Sequence, residues 1–469
     1  MEIDEKKLPE LDPDDMHTET MPIREEICVP VTDEMKPDNS PEAIQADTVL
    51  LEPTKNSAED PETGAPSAEE APQTRMSDQE VMQHTASLWR YRTIAEDGTE
   101  LHTESHSKYF RTGRCEVIGA RVRGKKHKHE GTNCDDWFET AQADDCLIAV
   151  VADGAGSKHL SRIGARVSCE RAAEYLKDAI PELMKNDPEI REKLSAEIGG
   201  EQFMAACGQF AALIRKAAAA AFDAVIQKLV SVYNDKTYIS SLGRNPVLAD
   251  MGSTFLAAVV VPLEINGEHQ NFVISLQIGD GCIAAINSKA DHTDCFRLLG
   301  EADSGAYSGE TDFLSEKTIS EGVIARKTRI SRGKSDIIML MSDGVADDYF
   351  PAQPMMKRLY IDLCLNGILP MAGEAGEPQP PEPVKFPSVS PEQQAVSIQY
   401  AKQLLSDNSA DAMNSLWDSR EQLRPHSLEA WGCSLGNTPE KRLVAWLDNY
   451  NERGSFDDRT LVVLNLNAK

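Results

Sequence analysis

The way the apolar runs of this chain end limits most strongly what it can fold into. Residues 147–152 form a continuous apolar stretch that stops at Asp153-Gly154-Ala155-Gly156, and residues 336–341 stop in the same way at Ser342-Asp343-Gly344. Asp457-Asp458 stands just ahead of the apolar run 461–464, and a fourth acidic pair, Asp135-Asp136, follows the alternating stretch 116–123. A strand that halts at Asp-Gly delivers a carboxylate to the rim of a sheet. The glycine lets the backbone turn and can leave its carbonyl free as a further oxygen ligand. Carboxylates brought to one rim repel each other unless a hard divalent cation neutralises them. One Asp-Gly by itself is ordinary turn chemistry. Four acidic sites at strand boundaries predict a magnesium or manganese site built from sheet ends.

The chain has 469 residues, 41% of them hydrophobic, enough for one large catalytic domain with additions. Its net charge of -29 is concentrated at the front, where residues 1–80 hold about 23 acids against about 6 bases. That stretch is rich in Pro, Thr and Ser and nearly devoid of aromatics. It cannot bury enough apolar surface to offset its ordering entropy, so residues 1–82 are expected to be a disordered acidic tail and residues 83–469 the folded domain. No basic stripe suits nucleic acid. Ten scattered cysteines without C-x-x-C suggest neither a disulfide framework nor a zinc ribbon. Without a basic-then-apolar leader or an apolar run long enough for a bilayer, the expectation is a soluble cytoplasmic protein with no membrane partner.

Between the acidic sites, residues 161–180 read as a helix ended by Pro181, and residues 202–232 as a long alanine-rich helix. Residues 254–261, 272–278, 282–286, 319–330 and 336–341 read as strands, followed by a helix at 354–365. A Pro/Gly/Glu-rich loop at 370–391 lies within an insertion at about 352–440. Helix candidates at 392–405, 416–423 and 441–451 precede a final strand at 459–466. This order is not a regular βαβ alternation, which disfavours a doubly wound sheet and favours antiparallel strands covered by helices.

Seven pieces in order carry a resemblance: Gly124, His127 and Gly131-Thr-Asn-Cys-Asp-Asp136; Val151-Ala-Asp-Gly-Ala-Gly-Ser157; Met251-Gly-Ser-Thr254; Gln277-Ile-Gly-Asp-Gly281; Gly309-Glu-Thr-Asp-Phe-Leu314; Met341-Ser-Asp-Gly-Val345; and Phe456-Asp-Asp-Arg-Thr460. Together they resemble the metal-dependent serine/threonine protein phosphatases of type 2C, the PPM family, in its bacterial branch. The resemblance implies an α+β fold, a four-layer α-β-β-α sandwich of two antiparallel sheets with flanking helices. It implies two Mg or Mn ions held by Asp136, Asp153, the Gly154 carbonyl, Asp343 and Asp457. Asp280 is implied to join Asp343 at a third, weaker ion. Asp135, Asp458 and Thr254 are implied to support these ligands. The implied activity is hydrolysis of phosphoserine or phosphothreonine on a protein by a metal-bridged water, in partnership with a serine/threonine kinase. The segment 309–314 lies where the family carries a flap that bears on substrate choice.

Some positions keep a plainer alternative. Asp280 also suits a Gly-Asp-Gly hairpin turn, and Asp458 a solvated cap of the last strand. Two positions depart from the family: Gly131 stands where many members have a phosphate-clamping arginine, and Ala155 where many have a histidine. His127, flanked by Lys126 and Lys128, is the candidate to take over phosphate binding or leaving-group protonation; its plain alternative is a basic surface loop. His159 is a second candidate donor. These departures keep open a catalytically weak phosphoprotein-binding or scaffold module. A small-ester or nucleotide hydrolase is disfavoured by the absence of a Gly-rich phosphate loop.

Overall fold

The structure, a computed structural model, describes residues 89–302, 311–370, 406–426, 438–449 and 456–467. The acidic tail, the proline-rich stretch from 371 and the helix candidate at 392–405 lie outside the described residues. Among these are strands β1 (Ser105–Thr112), β2 (Cys115–Val122), β3 (Trp137–Ala143), β4 (Cys146–Ala152), β5 (Phe255–Ile265), β6 (Glu268–Ile278), β7 (Cys282–Ile286), β8 (Phe296–Leu298), β9 (Thr328–Gly333), β10 (Ile337–Met341) and β11 (Arg459–Asn465). One sheet runs β1-β2-β11-β10-β7-β8 and the other β3-β4-β5-β6-β9, with antiparallel pairing throughout. Helices α1 (Lys125–Glu130), α2 (Ser161–Asn186), α3 (Glu201–Val232), α4 (Glu321–Lys327), α5 (Asp343–Ala346), α6 (Ala352–Leu365), α7 (Ala410–Asp418) and α8 (Pro439–Asn449) complete the parts used below.

The apolar runs are continuous because both faces of each sheet are covered. In β4, Leu147, Ala149 and Val151 point between the sheets, where they meet Val117, Phe138, Leu256, Ile338 and Val462. Ile148 and Val150 point the other way, onto Leu176, Phe210 and Ala217 of α2 and α3. On the opposite outer face, Ile118, Met339 and Val463 pack against Leu359, Trp417 and Leu443 of α6, α7 and α8. The result is the four-layer sandwich expected from sequence.

Three expectations for local structure change. Pro181 does not end α2, which continues to Asn186. Proline removes one helical hydrogen bond, and neighbouring Lys177 is exposed, so the carbonyl released there faces water. Residues 319–330 divide into α4 and β9, with Glu321 in the first turn of α4 and Ile324 as its buried contact. β5 and β6 extend beyond their predicted ends into one long hairpin. Asn266 and Gly267, at φ 55° and 75°, form its two-residue turn, the pairing that Asn-Gly favours. Among the described residues, no helix is long and apolar enough to cross a membrane.

Gly164 lets α2 lie against the segment leading into β5, since a Cβ there would be 2.0 Å from the Met251 carbonyl oxygen. Gly164→Ala is expected to lower unfolding stability by roughly 2 kcal/mol through overpacking, measured by denaturant titration. His102 is also buried, with Nδ1 3.0 Å from the Cys134 carbonyl, and its backbone N–H donates to Asn133 Oδ1. Burial, then the charges of Arg121, Arg162 and Arg166, push its imidazole down to about 3. The folded state therefore holds His102 neutral while the unfolded chain protonates it near 6.5. This contribution is intact above that pH and is lost as pH falls towards 3, at up to about 1.4 kcal/mol per unit. Thermal melts from pH 7 to 5 should show a decline in Tm that is shallower in His102→Asn.

Candidate metal centre

Strand register brings the acidic sites to one rim. Trp137 pairs with Ala152 and Phe255 with Ile278, so Asp136, Asp153, Thr254 and Gly279 all leave the five-stranded sheet at the same end. In the other sheet Met341 pairs with both Cys282 and Leu461, which puts Asp280, Ser342-Asp343 and Asp457-Asp458 at its corresponding end. The two ends are bonded together. Ser342 Oγ and Thr460 Oγ1 donate to Asp136 Oδ2 at 2.8 and 2.6 Å. The carboxyl groups of Asp153 and Asp343 lie within hydrogen-bond reach of each other.

Each aspartate is fixed by its surroundings. The Asp153 N–H donates to Thr254 Oγ1, the Thr254 N–H returns to the Asp153 carbonyl, both at 2.8 Å, and Gly154 bridges to Ser253. Thr254 therefore holds the end of β4, as a supporting residue would. Gly154 is needed for close approach rather than for a left-handed turn: a Cβ would be 2.6 Å from the Asp135 carbonyl oxygen. Gly344 follows the same rule, with a Cβ 1.9 Å from the Asp458 carbonyl. Asp280 occupies the β6–β7 turn and also faces the site. Its Oδ2 accepts from Thr311 Oγ1 at 2.5 Å, while Oδ1 is buried without a hydrogen-bond partner. Thr311 belongs to the expected flap segment, of which residues 309–310 lie outside the described residues; its Leu314 N–H donates to the Ser253 carbonyl.

Asp458 is not a solvated cap. It is 2% exposed, it accepts from the backbone N–H groups of Gly124 at 2.6 Å and Asp135 at 2.5 Å, and it forms an ion pair with His127 Nδ1 at 2.9 Å, a nitrogen that also bonds to the Asn133 carbonyl at 2.7 Å. His127 Nε2 faces Asp457 Oδ1 at 3.7 Å. Burial alone would lower the His127 pKa, but the charge and hydrogen bond of Asp458, with Asp135 and Asp457, raise it to about 10. Asp458 is correspondingly held below the usual carboxylate range by His127 and the two N–H groups, against the cost of burial. His127, Asp457 and Asp458 have potential ligand atoms within 4.8 Å of one another. Asp458 and His127 nevertheless satisfy each other, which makes the group an ion pair that holds the loop and not an open cation site. His127 is thus buried between Asp458 and Asp457, and His159 is exposed on the surface.

The residues on the other side of Asp457 behave differently. Asp136 Oδ1, Asp280 Oδ1 and Asp343 Oδ1 are buried with no hydrogen-bond partner. Burial first, and then neighbouring carboxylates, raise Asp136 and Asp153 well above the usual range. Asp343 rises to about 6 and Asp135 to about 7 by the same two causes. Orphaned carboxylate oxygens that repel one another fit a hard divalent cation, and an all-oxygen donor set suits magnesium or manganese. Sequence reasoning missed three neighbours. Ser342 and Thr460 orient Asp136, and Asp347, one turn after Asp343, is raised by burial and then by Asp280 and Asp457. The i, i+4 spacing of Asp343 and Asp347 was the available signal. Thr460→Val should weaken Mn²⁺ binding about tenfold, read from the Mn²⁺ concentration needed to raise Tm.

A family model described as Protein phosphatase 2C matches residues 123–364. That span contains Asp136, Asp153, Asp280 and Asp343 and ends before Asp457. A search of curated protein sequences finds no match. Among solved structures, the chain is similar to a bacterial serine phosphatase at 12% identity, covering 75% of this chain and 98% of that one, TM-score 0.33. It is similar to the serine/threonine phosphatase Stp1 from Staphylococcus aureus at 13% identity, covering 78% and 97%, TM-score 0.31. It is also similar to a serine-threonine phosphatase 2C from Toxoplasma gondii at 12% identity, covering 77% and 98%, TM-score 0.33.

Proposed function

The chain belongs to the protein phosphatase 2C family, and from that premise we propose that it removes phosphate from phosphoserine or phosphothreonine on proteins, with water as the attacking group and Mg²⁺ or Mn²⁺ as cofactor. The observation that carries this reading is the meeting of Asp136, Asp153 and Asp343 from two sheets, with buried oxygens of Asp136, Asp280 and Asp343 left without a hydrogen-bond partner. Asp136, Asp153, the Gly154 carbonyl, Asp343 and Asp457 would hold two divalent ions, and Asp280 with Asp343 a third, weaker one. Bound there, the ions would neutralise phosphate charge and lower the pKa of the attacking water.

The chain supplies the placement. Ser342 and Thr460 hold Asp136 by one oxygen and leave the other directed at the site. Thr254 and Gly154 fix the end of β4, and the Asp458–His127 pair fixes the segment carrying Asp135-Asp136. A cysteine nucleophile is not offered: the eight cysteines among the described residues are all buried, and burial raises Cys134 and Cys282, those nearest the rim, above the usual thiol range. The substrates would be products of a serine/threonine kinase.

The test is Mn²⁺-dependent hydrolysis of p-nitrophenyl phosphate and of a phosphothreonine peptide. Asp153→Asn is expected to reduce kcat/KM by about 100-fold or more while the fold is retained. A wild-type protein that binds phosphopeptide without Mn²⁺-dependent turnover would point instead to a scaffold.

A further inference from the structure

Arg459 directly follows Asp457-Asp458 and precedes Thr460, whose hydroxyl holds Asp136. It is 3% exposed. A guanidinium taken out of water is costly unless acceptors meet it, so the groups that meet this one are held in turn.

Its contacts tie three segments together. Arg459 Nη1 donates to the Leu447 carbonyl at 3.0 Å. That carbonyl is among the last four of α8, which find no partner within their own helix. Arg459 Nη2 faces Asp348 Oδ2 at 3.9 Å, in a pair whose side chains are 3% and 0% exposed. The stem lies against Gly344, where a Cβ would be 3.4 Å from Arg459 Cγ.

These segments bear on the rim. Gly344 follows Asp343 in α5, and Asp348 follows Asp347 in the short turn Asp347–Tyr349 that continues α5. Asp347 is close enough to Asp280 and Asp457 for both to raise it. The same turn is fastened outward. Tyr349 Oη donates to Asp362 Oδ2 of α6 at 2.7 Å, and its ring lies 6.5 Å from that of Trp446 in α8. α8 is fastened in turn to α1, where Asp448 pairs with Lys128, the residue after His127. Arg459 thus spans the segments that carry Asp343 and Asp457, with the end of α8 as its outer anchor. Both α8 and β11 lie beyond the family-matched span.

We propose that Arg459 is a positioning residue for the metal site: bridging Asp348 and the Leu447 carbonyl, it holds Asp343 and Asp457 at the separation a divalent ion needs. The assignment rests on the metal-dependent reading above. Charge alone predicts the opposite behaviour. A cation close to the site repels a second cation, so losing an arginine that merely carried charge would tighten Mn²⁺ binding. Losing an arginine that sets the ligand spacing weakens it, because displaced carboxylates no longer share the ion. The sign of the change separates the two.

Mn²⁺ affinity is measured by calorimetric titration and from the Mn²⁺ dependence of Tm, alongside kcat and KM for a phosphothreonine peptide. The proteins are wild type, Arg459→Met, Arg459→Lys, Asp348→Asn and the double variant Arg459→Met/Asp348→Asn. Leu176→Ala, in α2 on the opposite outer face, is the control for lowered stability. Arg459→Met, which keeps a stem against Gly344, should weaken Mn²⁺ binding about tenfold and leave peptide KM at saturating Mn²⁺ within about twofold. Arg459→Lys should fall between, since it keeps the charge but loses the fork. Asp348→Asn should also weaken Mn²⁺ binding, and the double variant should lose no more than Arg459→Met alone. If Arg459→Met does not fold, Arg459→Lys and Asp348→Asn carry the test with the same sign. Leu176→Ala should lower Tm and leave Mn²⁺ affinity unchanged. Unchanged or tighter Mn²⁺ binding in the Arg459 variants overturns the proposal, as do additive losses in the double variant and an equal loss in Leu176→Ala. A wild type that binds Mn²⁺ without turnover removes the phosphatase reading alone. An active wild type with normal Mn²⁺ affinity in Arg459→Met removes this assignment alone.

Discussion

The buried carboxylate of Asp458 is the interaction on which the rim depends. It receives the N–H groups of Gly124 and Asp135 and the ring of His127, and so joins the ends of β2, β3 and β11 at one point. A carboxylate removed from water costs several kcal/mol unless its lone pairs are met by donors and its charge by a cation. Here two N–H donors converge and the His127 ring supplies the charge. Removing any of them leaves a desolvated anion, so the three chain segments hold their relative positions even where the neighbouring acids repel each other.

That repulsion has the opposite sign from the usual stabilising ion pair. Asp136, Asp153 and Asp343 are each made less acidic by burial and by their neighbours, so the fold bears a cost in order to keep them together. The sandwich can bear it because packing on the outer faces of both sheets is extensive. Strain of this kind at a site, offset elsewhere, is a common signature of function.

Much of the rim was legible because its signal is local. An apolar run that ends at Asp-Gly is visible within eight or so residues, which singles out Asp153 and Asp343, and an acidic pair just ahead of such a run singles out Asp457. The layer order also followed from which runs were continuous. What stayed hidden depends on partners far apart in the chain. Asp135 and Asp458 are 323 positions apart, and nothing local distinguishes a buried, ion-paired aspartate from a solvated one. The basic neighbours of His127 are visible locally, whereas its contact with Asp458 is made only in the folded chain. The glycines of both Asp-Gly pairs were assigned to turning the chain, yet each is required by a carbonyl that only the folded state brings close. Pro181 and the Asn266-Gly267 turn show the same limit at smaller scale: one breaker was absorbed by a helix already held by packing, and the other joined strands whose polar ends concealed them.

The last of the described strands, β11, lies in the middle of its sheet, with β2 on one side and β10 on the other. Without residues 459–465, β10 and β2 have no shared neighbour, and Asp136 lacks the Thr460 hydroxyl. Such long-range pairing forms late and slowly, so closure of this rim waits on one of the most distant pairings in the fold, that between β2 and β11.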